Sequence, residues 1–253
     1  MLPITKSPLR RVPVGVALTA LCAGAASQEL PPVTAERPGF SSSPVVLAPS
    51  TLQLESGYQY TRERGSTDVD DHTLPFALVR VGLIERLELQ LGWAGYSWRE
   101  TNGQDLDGAY DANIGLKWQV SDGDASLPLA LFAGVTLPTG NRRFGRDGVE
   151  PSIGAFWSYS LQLDWFGTAL LSEVNDEVLV GNALGANLPV ATDVSSYIEY
   201  FGIYGASGGP EHYLNGGVAY LPRNDMQLDL YLGAGLNGVA ADFFLGFGIA
   251  YRF

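Results

Sequence analysis

The protein has 253 residues, of which 46% are hydrophobic and 17% charged, and its formal net charge is −12 at pH 7. The high apolar content and low charge exclude a disordered chain, and the negative charge argues against nucleic acid as a partner. The single cysteine, Cys22, excludes a disulfide scaffold, a zinc ribbon and a cysteine-based enzyme. A chain of this length is compatible with one large all-β barrel.

Residues 1–27 are predicted to be a cleaved signal peptide. Three basic residues near the start, a short apolar stretch over 12–23 and small residues at 25–27 fit the parts of such a peptide. The apolar stretch is shorter than the roughly 20 residues that a membrane-spanning helix needs. An uncleaved N-terminal anchor is the alternative. Cleavage would leave an exported chain that contains no cysteine.

The next segment, residues 28–50, is rich in proline and serine and is predicted to form a periplasmic lead or a partial plug. After it, large apolar residues alternate with polar or small ones, which places the two sets on opposite faces of a strand. The region 51–253 is therefore predicted to form a barrel. Its twelve predicted strands are 51–61, 74–82, 87–96, 108–120, 128–138, 151–160, 164–172, 178–188, 194–203, 212–220, 227–236 and 242–253.

The predicted connections between these strands alternate in length. The short turns are 83–86, 161–163, 189–193 and 221–226. The long polar loops are 62–72, 97–107, 139–150 and 204–211. Outer-membrane barrels have short periplasmic turns, long outer loops and an even number of strands, whereas a soluble sandwich gives no reason for this asymmetry. The predicted fold is all-β, a monomeric transmembrane antiparallel up-and-down β-barrel of about 12 strands in the bacterial outer membrane.

The last predicted strand, 242–253, carries the most specific pattern. One face presents Phe243, Leu245, Phe247, Ile249, Tyr251 and Phe253, and the other presents Asp242, small residues and Arg252. A terminal Phe after alternating apolar residues resembles the assembly signal of outer-membrane proteins, so Tyr251 and Phe253 are assigned to recognition by the barrel assembly machinery. The alternative is a buried core strand that ends at Phe by chance.

Several motifs resemble those of one known family. They are residues 34–44, 52–58, 80–83, 86–89, 116–117, 137–140, 197–200 and 251–253. Together they span nearly the whole mature chain. They are similar to motifs of the outer-membrane family named for the meta-pathway of phenol degradation, whose members are often called transporter-like. The resemblance implies a barrel, and it favours hydrophobic or aromatic compounds as solutes.

The strand phases place a set of charged residues on the inward face, since Arg or Lys facing lipid near the midplane costs about 2–4 kcal/mol. The lumen-lining candidates are Glu55, Arg80, Glu88, Asp111, Lys117, Glu199, Asp229 and Arg252. Two interpretations stay open: a polar transport path with fixed charges, or ion pairs that fill a narrow barrel. Arg80 and Glu88 are expected to face each other across their hairpin. With Asp242 counted, inward acids outnumber inward bases, so an open lumen should prefer cations.

Two loops contain further candidates. Arg142, Arg143 and Arg146 form a basic cluster that could gate the barrel or meet the phosphates of lipopolysaccharide; the alternative is a solvated surface loop. A second group could bind calcium, although its spacing matches no complete calcium-binding loop. Its members are Asp68, Asp70, Asp71, Asp105 and Asp107.

The sequence contains no recognisable catalytic motif. The two histidines, His72 and His212, do not sit in a phospholipase-like His-x-Ser pattern, and the sequence has no nucleophile elbow, complete Walker A motif or zinc ligand set. The protein is predicted to be no enzyme and to need no metal or cofactor. Its predicted function is an outer-membrane channel for passive or facilitated passage of small-molecule solutes; the alternative is a structural or adhesive barrel without transport.

Overall fold

The structure, a computed structural model, describes residues 31–65, 67–122, 125–205 and 207–253. The signal peptide predicted over 1–27 lies outside the described residues. No helix in the described part of the chain has the length and hydrophobicity to cross a bilayer. The described strands are β1 (Leu52–Glu63), β2 (Val69–Ile84), β3 (Leu87–Trp93), β4 (Tyr96–Thr101), β5 (Gln104–Ala109), β6 (Ala112–Gln119), β7 (Leu129–Leu137), β8 (Glu150–Ser160), β9 (Asp164–Val174), β10 (Glu177–Ala191), β11 (Val194–Tyr204), β12 (Glu211–Arg223), β13 (Met226–Gly235) and β14 (Phe243–Arg252).

These strands form one closed antiparallel sheet. The ladder closes because β1 pairs with both β2 and β14. Strand β2 pairs with both β3 and β4. Strand β6 pairs with β3, and β5 pairs with β4. Hence β3 and β4 are two halves of one wall strand interrupted at residues 94–95, and β5 and β6 are two halves of another interrupted at 110–111. The barrel wall therefore has twelve strands, which confirms the predicted number.

Two of the predicted outer loops are instead strand. Over 62–72, Arg62 pairs with Asp70, and over 97–107 the hairpin β4–β5 turns tightly at Asn102 and Gly103. Both turn residues have positive φ, 50° and 77°, as an Asn-Gly hairpin turn requires. The loop prediction was wrong because a hairpin that projects beyond the membrane is polar on both faces. It therefore lacks the apolar alternation that identifies a strand.

The wall is apolar on the outside and charged on the inside. Exposed leucines, isoleucine and tryptophan alternate along β3, β6 and β13 with buried residues that include Glu88, Lys117 and Asp229. Trp118, Trp165 and Tyr220 lie on the outer surface near the end where the turns are short. This distribution of apolar and polar residues is the reverse of that in a soluble protein. It fits a barrel that faces lipid, with aromatic residues at the membrane interface.

An aromatic cluster occupies the interior toward the long-loop end. Phe201 stacks on Tyr213 with ring centroids 4.7 Å apart, and Phe244 lies against both rings. Asp242, predicted to face inward, is exposed, and Phe244 occupies the inward position that follows it. The Asp242 prediction was wrong because β14 begins only at Phe243, which leaves Asp242 in the preceding loop.

Candidate functional site in the barrel interior

Residues 33–48, termed here the inner segment, run inside the barrel. The Val33 N–H donates to the Asn224 carbonyl oxygen at the short-turn end, over 2.7 Å, and Thr51 donates to the Ala48 carbonyl at the same end. Between these points, the inner segment hydrogen-bonds to side chains of β1, β2, β3, β6, β11 and β13. The inner segment therefore enters and leaves at the short-turn end and crosses the lumen between opposite walls.

The first anchor of the inner segment is a buried cluster of five charges around Arg80. Arg80 donates from Nε and Nη2 to the two carboxylate oxygens of Glu88, both over 2.9 Å, and from Nη1 to Glu55 over 3.2 Å. Glu36 of the inner segment lies 3.1 Å from Arg80 Nη2 and accepts from Lys117 Nζ over 2.5 Å. Arg80, Glu88 and Lys117 are wholly buried. Three acids and two bases thus compensate one another away from water.

The Arg80–Glu88 contact is present, but not at the predicted register. Glu88 lies opposite Gly82, and Arg80 lies opposite Gln90. The hairpin turns at Glu85 and Arg86, later than the turn over 83–85 that the predicted pairing requires, so the two charged residues are diagonal neighbours. A long arginine side chain spans such a diagonal.

The second anchor is Glu199 on β11. Its carboxylate accepts the backbone N–H groups of Phe40 and Ser41, both over 2.8 Å, and an Asn215 amide N–H over 3.0 Å. Hydrogen bonds to an ionised carboxylate are stronger than those between neutral groups. Glu199 therefore fixes the backbone of the inner segment where Phe40 stacks on Phe201, with ring centroids 4.7 Å apart.

The third anchor is Asp229 on β13, which binds Arg37 in a bidentate pair. Arg37 donates from Nε over 2.9 Å and from Nη2 over 2.7 Å. The same guanidinium group lies 4.6 Å from the ring centre of Phe76 and 5.7 Å from that of Tyr231. A Cβ atom on Gly248 would overlap the guanidinium group, so a glycine at this point of the wall makes room for Arg37.

Asp111 and the three loop arginines are placed at the long-loop end. The Asp111 carboxylate accepts the backbone N–H groups of Thr139 (2.9 Å), Gly140 (2.7 Å) and Arg146 (2.7 Å). The Arg146 side chain pairs with Glu150 over 2.6 Å. Arg142 and Arg143 are exposed to solvent. Asp111 therefore holds the loop over 139–146 against the barrel rim.

The remaining candidates lie away from the inner segment's anchors. Arg252 is buried at the short-turn end and donates to the Asn224 carbonyl over 3.2 Å. Next to it, Tyr251 packs edge-on against Phe253, with ring centroids 4.8 Å apart. The acids considered for calcium are not brought together, because Asp70 pairs with Arg64 while Asp71 pairs with Arg99. The described residues include no group of three or more His, Cys, Asp or Glu arranged to hold a metal.

Two cavities lie inside the barrel. The outer cavity, toward the long loops, has a volume of about 760 Å³, and seven aromatic residues line it together with polar residues and charged ones such as Arg99 and Asp71. The inner cavity, toward the short turns, has a volume of about 360 Å³ and is lined mainly by serine and other neutral residues. Three consecutive residues line both cavities: Arg37, Pro38 and Gly39.

A closed antiparallel barrel with an apolar outer wall and a charged interior defines an outer-membrane β-barrel protein. Residues 35–253 match the family described as "Putative MetA-pathway of phenol degradation". The chain belongs to this family, as its motifs predicted, and its place is the bacterial outer membrane.

Solved structures share the fold. An outer-membrane channel from Pseudomonas putida F1 is 16% identical, with a TM-score of 0.66 over 86% of this chain and 99% of that one. The translocator domain of the autotransporter NalP from Neisseria meningitidis is 12% identical, with a TM-score of 0.56 over 81% of this chain and 89% of that one. The NanC porin is 7% identical, with a TM-score of 0.52 over 79% of this chain and 98% of that one. A search of curated proteins gave no significant match.

Proposed function

We propose that the protein is a monomeric outer-membrane channel for passive or facilitated passage of small molecules. The observation that carries this proposal is the pair of cavities that lie in series inside a closed wall. The outer cavity is reached from the long-loop end and the inner cavity from the short-turn end, and residues 37–39 separate them. A solute that passes these residues would cross the membrane without meeting lipid.

The lining of the outer cavity favours hydrophobic or aromatic solutes. Phe40, Phe201 and Tyr213 form a continuous stack, and Phe244 and Tyr231 extend it along the wall. Flat rings bind such a surface by stacking and by burying apolar area. The description of the family, which names phenol degradation, points to the same class of compounds.

The inner segment acts as a partial plug in this proposal. Its three anchors pair the inward acids with Arg37, with backbone N–H groups and with the cations of the wall. The inner segment adds one acid, Glu36, and one base, Arg37, so it leaves the net charge of the lumen unchanged. The excess of inward acids therefore remains, and we expect the channel to keep the cation preference predicted from the wall charges.

Uptake into proteoliposomes tests the proposed function. We expect a radiolabelled small aromatic alcohol glycoside, which crosses lipid slowly, to enter vesicles that contain the folded barrel faster than empty vesicles. A heat-treated, unfolded sample is the control for leakage. Equal rates in all three preparations, also after removal of the inner segment, would reject transport.

If the uptake rates are equal, the alternative function is a structural or adhesive barrel without transport. The projecting hairpin β4–β5 favours this alternative. Its outer strand, β5, pairs with β4 alone among the described strands, so its second edge, apart from the hydrogen bonds of Ala109 to Asn141, is free to pair with another chain.

A further inference from the structure

The inner segment divides the lumen unevenly. On the side of β1, β2, β3 and β6 it is packed against the wall by the buried charge cluster around Arg80. On the side of β8 to β12, space remains between the inner segment and the wall, and this space is the inner cavity. The two cavities therefore outline a path along the β8–β12 side, and this path passes Arg37, Pro38 and Gly39, which line both cavities.

The wall of the inner cavity is uncharged apart from Arg37. Its polar lining consists of hydroxyl and amide groups, among them Ser158, Ser195, Asn187 and Gln227. A neutral polar solute can exchange water for these groups. An ion that loses its hydration shell there meets no opposite charge that is not already paired, and its desolvation is costly.

Arg37 itself is held from several directions. Asp229 binds the Nε–Nη2 edge of its guanidinium group, and Phe76 and Tyr231 lie within cation–π distance. On the wall beside it Gly248 has no side chain that would overlap the group. The side chain is buried, yet the backbone of residues 37–39 forms no strand. The barrier between the cavities is thus held by the Arg37–Asp229 pair, by the Glu199 anchor, by the Gln227 amide that donates to the Arg37 carbonyl over 3.1 Å, and by the Glu36 contacts. Of these, the Arg37–Asp229 pair is the one in which the Arg37 side chain takes part.

We propose that Arg37 is the latch of a gate at residues 37–39, and that this constriction selects uncharged solutes over ions of the same size. The latch is closed when Arg37 is paired with Asp229. Releasing the pair lets residues 37–39 move into the inner cavity and joins the two cavities. This inference rests on the proposed channel function and assigns its specificity to three residues of the inner segment.

Gly248→Ala tests the latch without changing any charge. The three atoms nearest to the added Cβ all belong to the Arg37 guanidinium group, so Arg37 must move away while Asp229 stays intact. Gly238→Ala is the matched control, since a Cβ there meets no atom within 4 Å. The measurement is the swelling rate of proteoliposomes in glucose, gluconate and glucosamine, three solutes of similar size that are neutral, anionic and cationic.

We expect the unaltered protein to pass glucose several-fold faster than gluconate or glucosamine. Gly248→Ala should raise the glucose rate at least three-fold, and Gly238→Ala should leave it unchanged. Arg37→Asp should also raise the rate, and the double variant Arg37→Asp with Asp229→Arg should lower it again, because the exchanged pair can re-form. Gel mobility before and after heating verifies that each variant is folded; if Gly248→Ala does not fold, Arg37→Lys loosens the bidentate contact and takes its place.

The possible outcomes separate this inference from the proposed function. Equal rates for the three solutes would overturn the selectivity for uncharged molecules. A glucose rate that rises on deletion of residues 33–48 but not in the Gly248 and Arg37 variants would overturn the latch and leave the channel standing. Rates equal to those of empty vesicles for every variant, the deletion included, would overturn both.

Discussion

Arg80 contacts three carboxylates and no solvent, and two of these carboxylates belong to the wall while the third, Glu36, belongs to the inner segment. A buried charge is tolerated when its partners satisfy it, and removing one partner leaves the others uncompensated. The interior charges therefore have a structural role that does not depend on transport.

The replacement Arg80→Met tests this role. It leaves three buried carboxylates with Lys117 as their remaining cation, and we expect it to lower the free energy of unfolding by about 3–5 kcal/mol. Arg86→Met is the matched control, because Arg86 pairs with Asp122 in solvent and such exposed pairs contribute about 0–1 kcal/mol. Urea titration of the barrel in lipid vesicles measures both. An unfolding midpoint for Arg80→Met equal to that of the control would contradict the account.

Alternation with period two is sufficient to separate the buried charged residues of the wall from the exposed apolar ones. Neighbouring residues of a strand face lipid and lumen alternately, and lipid requires apolar side chains whereas the lumen accepts polar ones. It cannot give the partners of those charges. Arg37 and Asp229 are 192 residues apart in the sequence. A period-two pattern also says nothing of a segment without regular structure. Glu36 and Arg37 are marked only by the family motif over 34–44, which does not give their partners.

At the scale of elements, the strands whose outer face meets lipid could be predicted and the hairpin that projects beyond the membrane could not. In β4 and β5 both faces are polar or exposed, so hydrophobic patterning stops where lipid contact stops. The interruptions at 94–95 and 110–111 fall where this projecting hairpin meets the wall. Asp111 lies in one of these interruptions and not within a strand. Its carboxylate therefore anchors the neighbouring loop.

Asp111→Ala should release the loop over 139–146. The variant loses the acceptor of three backbone N–H groups, so we expect faster trypsin cleavage after Arg142 and Arg143 in the folded barrel. Asp147 is a nearby exposed acid, and we expect trypsin to cleave the control variant Asp147→Ala at the same rate as the unaltered protein. Mass spectrometry of the fragments locates the cuts. Equal cleavage rates for the two variants would show that Asp111 does not hold the loop.

The final strand allows a prediction about assembly. Deleting Phe253 removes the last aromatic residue of an alternating strand that pairs with β1 to close the barrel. We expect less heat-modifiable protein in the outer-membrane fraction, whereas Phe253→Tyr, which keeps the ring, should assemble at the normal level. Normal amounts of folded barrel after the deletion would exclude Phe253 from the assembly signal.

At the scale of the whole molecule, the barrel and its strand number follow from the sequence because a membrane-spanning sheet must close and cannot leave unpaired edges in lipid. Whether such a barrel is open does not follow, since about twelve strands can enclose either a filled or an aqueous interior. The structure places charges from both sources, the wall and the inner segment, in one paired network. Ion pairs fill the lumen beside β1, β2, β3 and β6, and a cavity remains beside β8 to β12. A transport path with fixed charges stays a prediction.

The central claim is that the inner segment limits passage through a barrel that is otherwise a channel. Single-channel recording in planar bilayers, comparing the mature chain with one that lacks residues 33–48, tests it most directly. In both barrels Glu55, Glu88, Glu199 and Asp229 outnumber Arg80 and Lys117, because Glu36 and Arg37 cancel each other. We expect both to prefer cations, a preference that weakens between 0.1 M and 1 M salt as the Debye length falls from about 10 Å to about 3 Å. We expect a several-fold larger conductance without the inner segment, and equal conductance for the two folded barrels would contradict the central claim.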